Sequence, residues 1–193
     1  MADEPNELVT RREAEIAAGA LPLFLEKGFH ATSIREIAAA AGLSMGGLYE
    51  YIGSKDDVLS LVYRQMTSPF AETLDAPVDT DLTALITAAL AASWDRAKDV
   101  QILYRETVAL DAGHRDDLAA TERSYAHRIA EAIAAGVERG ELACDDPLLV
   151  GHVVMFLAAF MPLRSWITRT DGIESNAETA RAVAELIVSG LRP

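Results

Sequence analysis

Hydroxyls, phenols and cations gather in one short stretch of the chain: Thr32, Ser33, Arg35, Ser44, Tyr49, Tyr51 and Lys55. Hydroxyl and phenol donors with guanidinium and ammonium groups are the chemistry that grips phosphate oxygens. Among them lie Met45, Gly46 and Gly47, where small residues let backbone approach a partner closely. No reaction centre accompanies this set. The chain has no Gly-rich phosphate loop, no Cys/His metal cluster and no nucleophile elbow, so no metal or cofactor is expected. His127 and Glu131 stand four apart, a spacing that suits a metal, but a solvated helix face accounts for them. Arg105 beside Glu106 reads as a structural ion pair. His114 with Asp116 and Asp117 reads as a turn and helix start. The one cysteine, Cys144, sits beside Asp145 and Asp146, a setting unlike that of a redox sensor.

The elements that must position these groups are helices. Alanine is abundant, hydrophobic residues make up 50% of the chain, and alternating β-branched runs are missing. Residues 1–9 read as a tail. Thr10 with Glu13 suggests a capping box and a helix from near Arg11 to Gly28, with Pro22 expected to kink it. Ser33 with Glu36 opens a second, short helix that Gly42 ends. Ser44 caps a third over 45–51. Ser54 with Asp57 opens a longer helix toward Met66, with Pro69 near its end. After a boundary at 75–81 the spacing predicts helices over 82–98, 100–110 and 116–139, with Gly113 in a turn. Asp146 before Pro147 marks another helix start, running to about Arg169. Asp171-Gly172 is a turn, and Ser175 with Glu178 opens the last helix. About nine helices result, three in a head and six in a body.

Residues 32–51 have the grammar of a helix-turn-helix. Ile37 and Ala38 face inward, Leu43 plugs the turn, Leu48 anchors the second helix, and Ala41 must be small. The N-terminal end of that second helix would meet base edges in a major groove. Glycines there offer no side-chain donors, so base choice would rest on flanking groups, on Met45 against a thymine methyl, or on DNA shape.

In order and spacing, Leu23-Phe24, Lys27-Gly28-Phe29, Thr32, Ile37-Ala38, Ala41-Gly42-Leu43-Ser44, Gly46, Tyr49, Tyr51 and Ser54-Lys55 resemble the TetR family of repressors, over roughly residues 12–60. Pro22, and Ile52 where an aromatic residue is common, depart from the pattern. The resemblance implies an all-α protein with a helix-turn-helix DNA-binding domain (1–55) and a helical ligand-binding and dimerisation domain (56–193). It implies phosphate contacts from Thr32, Ser33, Tyr49 and Lys55, and base or groove contacts from Arg35, Met45 and Gly46. Ser44, Gly47 and Tyr51 complete the expected DNA surface. A homodimer would place two recognition helices about 34–36 Å apart on a palindromic operator.

The segment Leu148–Leu163 is apolar nearly all round and must be buried on every face. With the last helix it is the expected dimer interface, in keeping with the resemblance; an intramolecular core is the plainer reading. Ten residues are expected to line a ligand cavity: Met66, Phe70, Trp94, Tyr104, Arg105, Tyr125, Arg128, His152, Phe156 and Trp166. Such a lining suits a largely apolar effector with a polar or anionic end. The stretch 102–106 faintly resembles regulators that sense acyl thioesters. Ligand binding is expected to move the helix from Lys55 to Met66 and so to release the operator.

The net charge of −13 weighs against non-specific nucleic-acid binding. The acid is uneven, however: residues 27–55 carry three cations against two anions. The acidic N-terminus has no apolar core of a signal peptide, and with His152 and Pro162 interrupting the most apolar segment no stretch is expected to reach the roughly 18 residues of a bilayer span. A cytoplasmic location and no membrane partner are expected. The alternatives are an all-helical enzyme, for which His152 near Arg164 is the one vague suggestion, or a protein-binding adaptor.

Overall fold

The computed structural model describes residues 4–77, 79–107 and 110–193. Among them are nine α-helices and no strand: α1 (Glu4–Lys27), α2 (Ile34–Ala40), α3 (Met45–Tyr49), α4 (Lys55–Leu74), α5 (Leu82–Trp94), α6 (Ala97–Glu106), α7 (Ala112–Glu138), α8 (Pro147–Thr168) and α9 (Ala177–Ser189). The all-helical class is as the composition requires. The chain divides into two compact units. The first holds residues up to Met66 together with Ile102–Leu118, and the second holds Thr67–Gln101 and Ala119–Pro193. These units are drawn differently from the division at residue 55, because 102–118 packs with the N-terminal helices.

Several expected boundaries shift. Helix α1 already runs from Glu4, so Thr10 lies inside it and does not mark its start. Residues 1–3 of the expected tail lie outside the described residues. Pro69 sits within α4 and does not end it. The helix expected over 82–98 stops at Trp94, and α6 begins at Ala97. Gly113 lies in the first turn of α7, whose start is fixed by Asp111, with the His114 N–H donating to Asp111 Oδ1 at 3.0 Å. Asn176, not Ser175, caps α9 by accepting from the Thr179 N–H. The Asp146-Pro147 start of α8 and the Gly172 turn stand where expected.

The first unit is centred on Ile16, Phe24, Ile37, Leu48, Val58 and Leu59, all essentially inaccessible. Phe24 meets Phe29 edge-on at 5.4 Å between ring centroids, a favourable aromatic geometry. Helix α1 comes so near the end of α2 that a Cβ on Gly19 would stand 2.9 Å from the Ala41 nitrogen. Leu110, from the later segment, is buried in the same core.

The second unit packs α5 against α8 and α9, around Ile86, Leu90, Trp94, Ile129, Ile133, Val154, Ala180 and Ala184. Pro162 inside α8 has no N–H, which leaves the Ala158 carbonyl without its helical donor. The Ser93 hydroxyl of α5 donates to that carbonyl at 2.8 Å, and Trp94 Nε1 donates to the Leu157 carbonyl at 3.2 Å. The proline is thereby turned into an inter-helix tie.

One reading of α8 needs correction. The helix and its continuation, Pro147–Asp171, are long and apolar enough to cross a membrane, with a mean hydropathy of 1.7 in the critical window. The scattered polar residues do not bring it below that limit. Its inner face is nevertheless committed to the second unit through Val154, Ala158 and Met161.

Candidate nucleic-acid interface

The stretch from Ser33 to Lys55 folds as two short helices with a rigid turn. Ser33 Oγ accepts from the Glu36 N–H at 3.3 Å, and Glu36 Oε2 accepts from the Ser33 N–H at 2.8 Å and from its hydroxyl at 2.7 Å. This reciprocal box satisfies donors that a helix start leaves orphaned. Lys27, at the end of α1, pairs with the other Glu36 oxygen. The Lys27 hydrogen bond, then those from Ser33, pull the Glu36 carboxyl down to about 2. Helix α2 ends at Gly42, whose φ of +68° puts it in the left-handed region where a side chain is strained. The Leu43 N–H then returns to the Ala38 carbonyl at 2.8 Å, and Ser44 Oγ caps α3 by accepting from Gly47 at 3.0 Å.

Within α3 one residue is buried and the rest face outward. Leu48 is fully buried. Ser44, Met45, Gly46 and Tyr49 are exposed, Gly47 is half-buried, and Ser33 and Arg35 are exposed on α2. Tyr49, at 51% exposed, is a large amphipathic side chain left on the surface. The site of a Gly46 Cβ is open, with only Ser44 Oγ at 4.0 Å.

Three expected contacts look different. Thr32 is buried, and its hydroxyl donates inward to the Gly28 carbonyl at 2.8 Å. It locks the α1–α2 turn and does not point its hydroxyl at a phosphate. Tyr51 is half-buried beside Arg12. Lys55 lies over the Phe29 ring, 4.4 Å from the centroid, and donates to the His30 carbonyl at 3.2 Å. Burial pushes its ammonium pKa down, against the pull of Asp56 and Glu106.

A group that sequence reasoning missed lies at the start of α4. Asp57 Oδ2 accepts from the N–H groups of Gly53 and Ser54, both at 2.7 Å, while Ser54 Oγ accepts from the Asp57 N–H at 3.1 Å. The Ser54–Asp57 box was legible; its third member was not. His114 Nε2 meets Asp57 Oδ1 at 2.7 Å, and His114 Nδ1 meets Asp111 Oδ2 at 2.8 Å. The Asp111 N–H reaches Asp56 Oδ2 at 3.3 Å. Asp111 stands three residues before His114, a helix-start spacing that could have marked half of this arrangement.

The expected ligand-lining residues are divided between the two units. Phe70 and Tyr125 meet edge-on at 5.5 Å, and Tyr125 donates to Thr67 Oγ1 at 3.3 Å. Trp94 is in the same core. Arg128 is exposed and pairs with Asp75. Met66 is buried in the first unit, where Tyr104 and Arg105 are exposed. Arg105 pairs with Glu106 at 2.7 Å, as expected. His152, Phe156 and Trp166 are exposed because they lie on the outer side of α8, opposite its packed face, so they line no interior cavity of this chain. A recess of about 500 Å³ in the second unit is bounded by Thr73, Ala76, Thr80, Ala84, Leu85 and Ala88, with Glu72 and Asp75 at its edge.

Residues 16–62 match the family described as bacterial regulatory proteins of the tetR family, and residues 75–191 match the tetracyclin repressor-like C-terminal domain. The transcriptional regulator HbdR of Aromatoleum sp. (strain CIB) is 30% identical over 170 residues, covering 82% of this chain and 72% of that protein. FadR of Bacillus subtilis, solved in complex with stearoyl-CoA, superposes with a TM-score of 0.74 at 18% identity, covering 92% of this chain and 98% of that one. AibR, solved with isovaleryl coenzyme A and operator DNA, gives a TM-score of 0.65 at 20% identity, covering 92% and 98%. The chain belongs to the TetR family of transcriptional regulators: it carries a helix-turn-helix for DNA binding ahead of a helical ligand-binding domain.

Proposed function

We propose that this chain is a cytoplasmic, non-enzymatic repressor that binds a palindromic operator as a homodimer and leaves it when a largely apolar, acyl-type effector binds. The observation that carries the reading is the exposed edge of α3, where Met45, Gly46 and Tyr49 face outward while Leu48 anchors the helix. Met45 and Gly46 then meet base edges, Ser33, Ser44 and Tyr49 meet phosphates, and Arg35 supplies the cation. Gly47, Tyr51 and Lys55 support this surface from beneath it. A duplex selected from a randomised library tests these roles. The pair Arg35→Ala and Tyr49→Phe should weaken binding and lower the salt slope by about two, the effect of leaving one phosphate charge unneutralised in each half of the dimer's site. Unchanged affinity and slope would refute these roles.

The homodimer reading rests on the outer faces of α8 and α9. Leu149, Val153, Phe156 and Trp166 on α8 are 44–69% exposed, and Leu186 on α9 is 73% exposed. A run of exposed large apolar side chains marks an interaction surface. Phe156→Asp should convert a dimer to a monomer in light scattering. A wild-type monomer at micromolar concentration would end this part of the proposal.

The effector reading rests on the aromatic core around Phe70, Trp94 and Tyr125, the neighbouring recess, and the coenzyme A thioesters bound by AibR and FadR. Helix α4 gives its first half to one unit and its second half to the other, which suits it to carry the signal. An acyl-CoA series should lower operator affinity by the ratio of its affinities for the two states; equal affinity with and without each thioester would defeat the acyl assignment.

A further inference from the structure

The Asp57 carboxylate serves two masters. One oxygen gathers the N–H groups of Gly53 and Ser54, which belong to the turn leaving α3. The other receives the imidazole of His114, fifty-seven residues away on α7. His114 is itself fixed from its other nitrogen by Asp111, the residue that caps α7. Both ring nitrogens therefore face carboxylate oxygens at hydrogen-bond distance. A neutral imidazole has one N–H and one lone pair, so it can satisfy only one of the two; the imidazolium donates to both.

Resting on the DNA-binding role of α3 argued above, we propose that His114 is a positioning residue for operator binding: as an imidazolium it latches the start of α7 to the turn behind the recognition helix, and its deprotonation loosens that helix. His114 touches no DNA in this scheme. It acts through Asp57, which holds the exit of α3 in place.

The surroundings favour the charged ring. The side chains brought to it are acidic: Asp57 and Asp56 from α4, and Asp111 at the head of α7. Arg115, Asp116 and Asp117 follow on α7 and are exposed. The Asp57 hydrogen bond raises His114 from 6.5, against partial burial, with Asp111 adding to the rise. Burial pushes Asp57 up, but the bonds from His114, Gly53 and Ser54 together hold it below 3.8. The Asp111 carboxyl is lowered by its bonds to the His114 N–H and ring. A raised histidine contributes fully below its ordinary pKa and loses its contribution as pH rises through the raised value. The lowered carboxylates contribute above their ordinary range. The latch is therefore complete in mildly acidic solution and lost toward alkaline pH.

The test uses the full-length protein and a duplex that it selects from a randomised library at pH 6. Operator affinity is measured by fluorescence anisotropy from pH 6 to 9 at constant ionic strength. Wild-type affinity should fall severalfold as the pH rises through the His114 titration. His114→Gln should flatten the profile at the weaker level, and His30→Gln, the exposed histidine of the same unit, should keep it. In parallel, the His114 ring is followed by NMR without DNA, its signal assigned by its absence in His114→Gln. It should titrate above 6.5, and Asp57→Asn should bring it down. A wild-type profile as flat as that of His114→Gln, or a His114 titration that ignores Asp57→Asn, overturns the latch while leaving DNA binding intact. If His114→Gln does not fold, the ring is assigned by elimination from His30→Gln, His127→Gln and His152→Gln, and the Asp57→Asn titration together with the wild-type pH profile still decides the matter. A wild-type protein that selects no duplex at any pH overturns the regulator reading itself, and the latch's effect on affinity with it.

Discussion

Turns hold the first unit together, whereas faces hold the second. In the first, carboxylates tie corner to corner: Glu36 joins Ser33 and Lys27, and Asp57 joins Gly53, Ser54 and His114. In the second, long helices lie flat on one another, and the polar ties between them run mostly from side chains to backbone across those faces: Ser93 on the carbonyl freed by Pro162, Trp94 on the Leu157 carbonyl and Gln101 on the Pro162 carbonyl. The difference follows from what each must show the outside. A surface that reads a duplex needs short helices fixed in direction while their outer residues stay polar, and hydrogen-bonded caps fix direction without consuming surface. The outer side of α8 leaves apolar residues such as Phe156 and Trp166 exposed, where the proposed homodimer would form.

The sharpest way to break this contrast is to remove apolar packing from the unit that relies on caps. Phe24 is fully buried at the centre of the first unit. Phe24→Ala should cost about 3–5 kcal/mol there. If the units are stabilised separately, DNA binding is lost while light scattering still reports the wild-type assembly state. Loss of both together would mean that one cooperative core serves the whole chain.

The counterpart in the second unit is Gly151. A Cβ there would stand 2.3 Å from the Ala126 carbonyl oxygen, which is backbone and cannot swing away. Gly151→Ala should separate α7 from α8 and cost about 1–3 kcal/mol, seen as a lower thermal midpoint. An unchanged midpoint would show that the two helices slide apart freely, against the picture of faces in fixed contact.

How much of this was legible depended on whether the cause was local. The caps Ser33–Glu36, Ser44, Ser54–Asp57 and Asp146-Pro147 each act within four residues, so spacing alone exposed them. The inward bond of the Thr32 hydroxyl to the Gly28 carbonyl is not legible in the sequence, because no side-chain pattern reports where a backbone oxygen points. The outward setting of His152, Phe156 and Trp166 is hidden in the sequence, because ring-bearing type says nothing of which side of a largely apolar helix faces inward. The His114–Asp57 pair spans fifty-seven residues and left no signal at all. The return of 102–118 to the first unit was hidden for the same reason.

A milder change tests the caps directly. Ser33→Ala removes the hydroxyl of the α2 box but leaves its backbone N–H on Glu36. Substitutions of this kind cost about 1 kcal/mol. The stability of the first unit should fall by about 1 kcal/mol, read as a lower thermal midpoint, with the second unit unmoved.

The smallest effect is the most specific. Glu36 titrates at about 2, held down first by Lys27, then by the N–H and hydroxyl of Ser33, with a small opposing push from burial. A lowered carboxyl contributes stability above its ordinary 4.5 and loses it as pH falls through about 2. The tie between α1 and α2 should therefore persist through mild acid and open only below that range. Following the Glu36 carboxyl carbon by NMR checks the order of causes. Lys27→Ala should raise its titration most, and Ser33→Ala should raise it less, because the Ser33 N–H remains. If Ser33→Ala moves Glu36 further than Lys27→Ala does, the carboxylate belongs chiefly to the α2 cap. The α1–α2 corner then rests on packing at Gly19 and on Thr32, and the first unit is less a product of its charges than its contrast with the second requires.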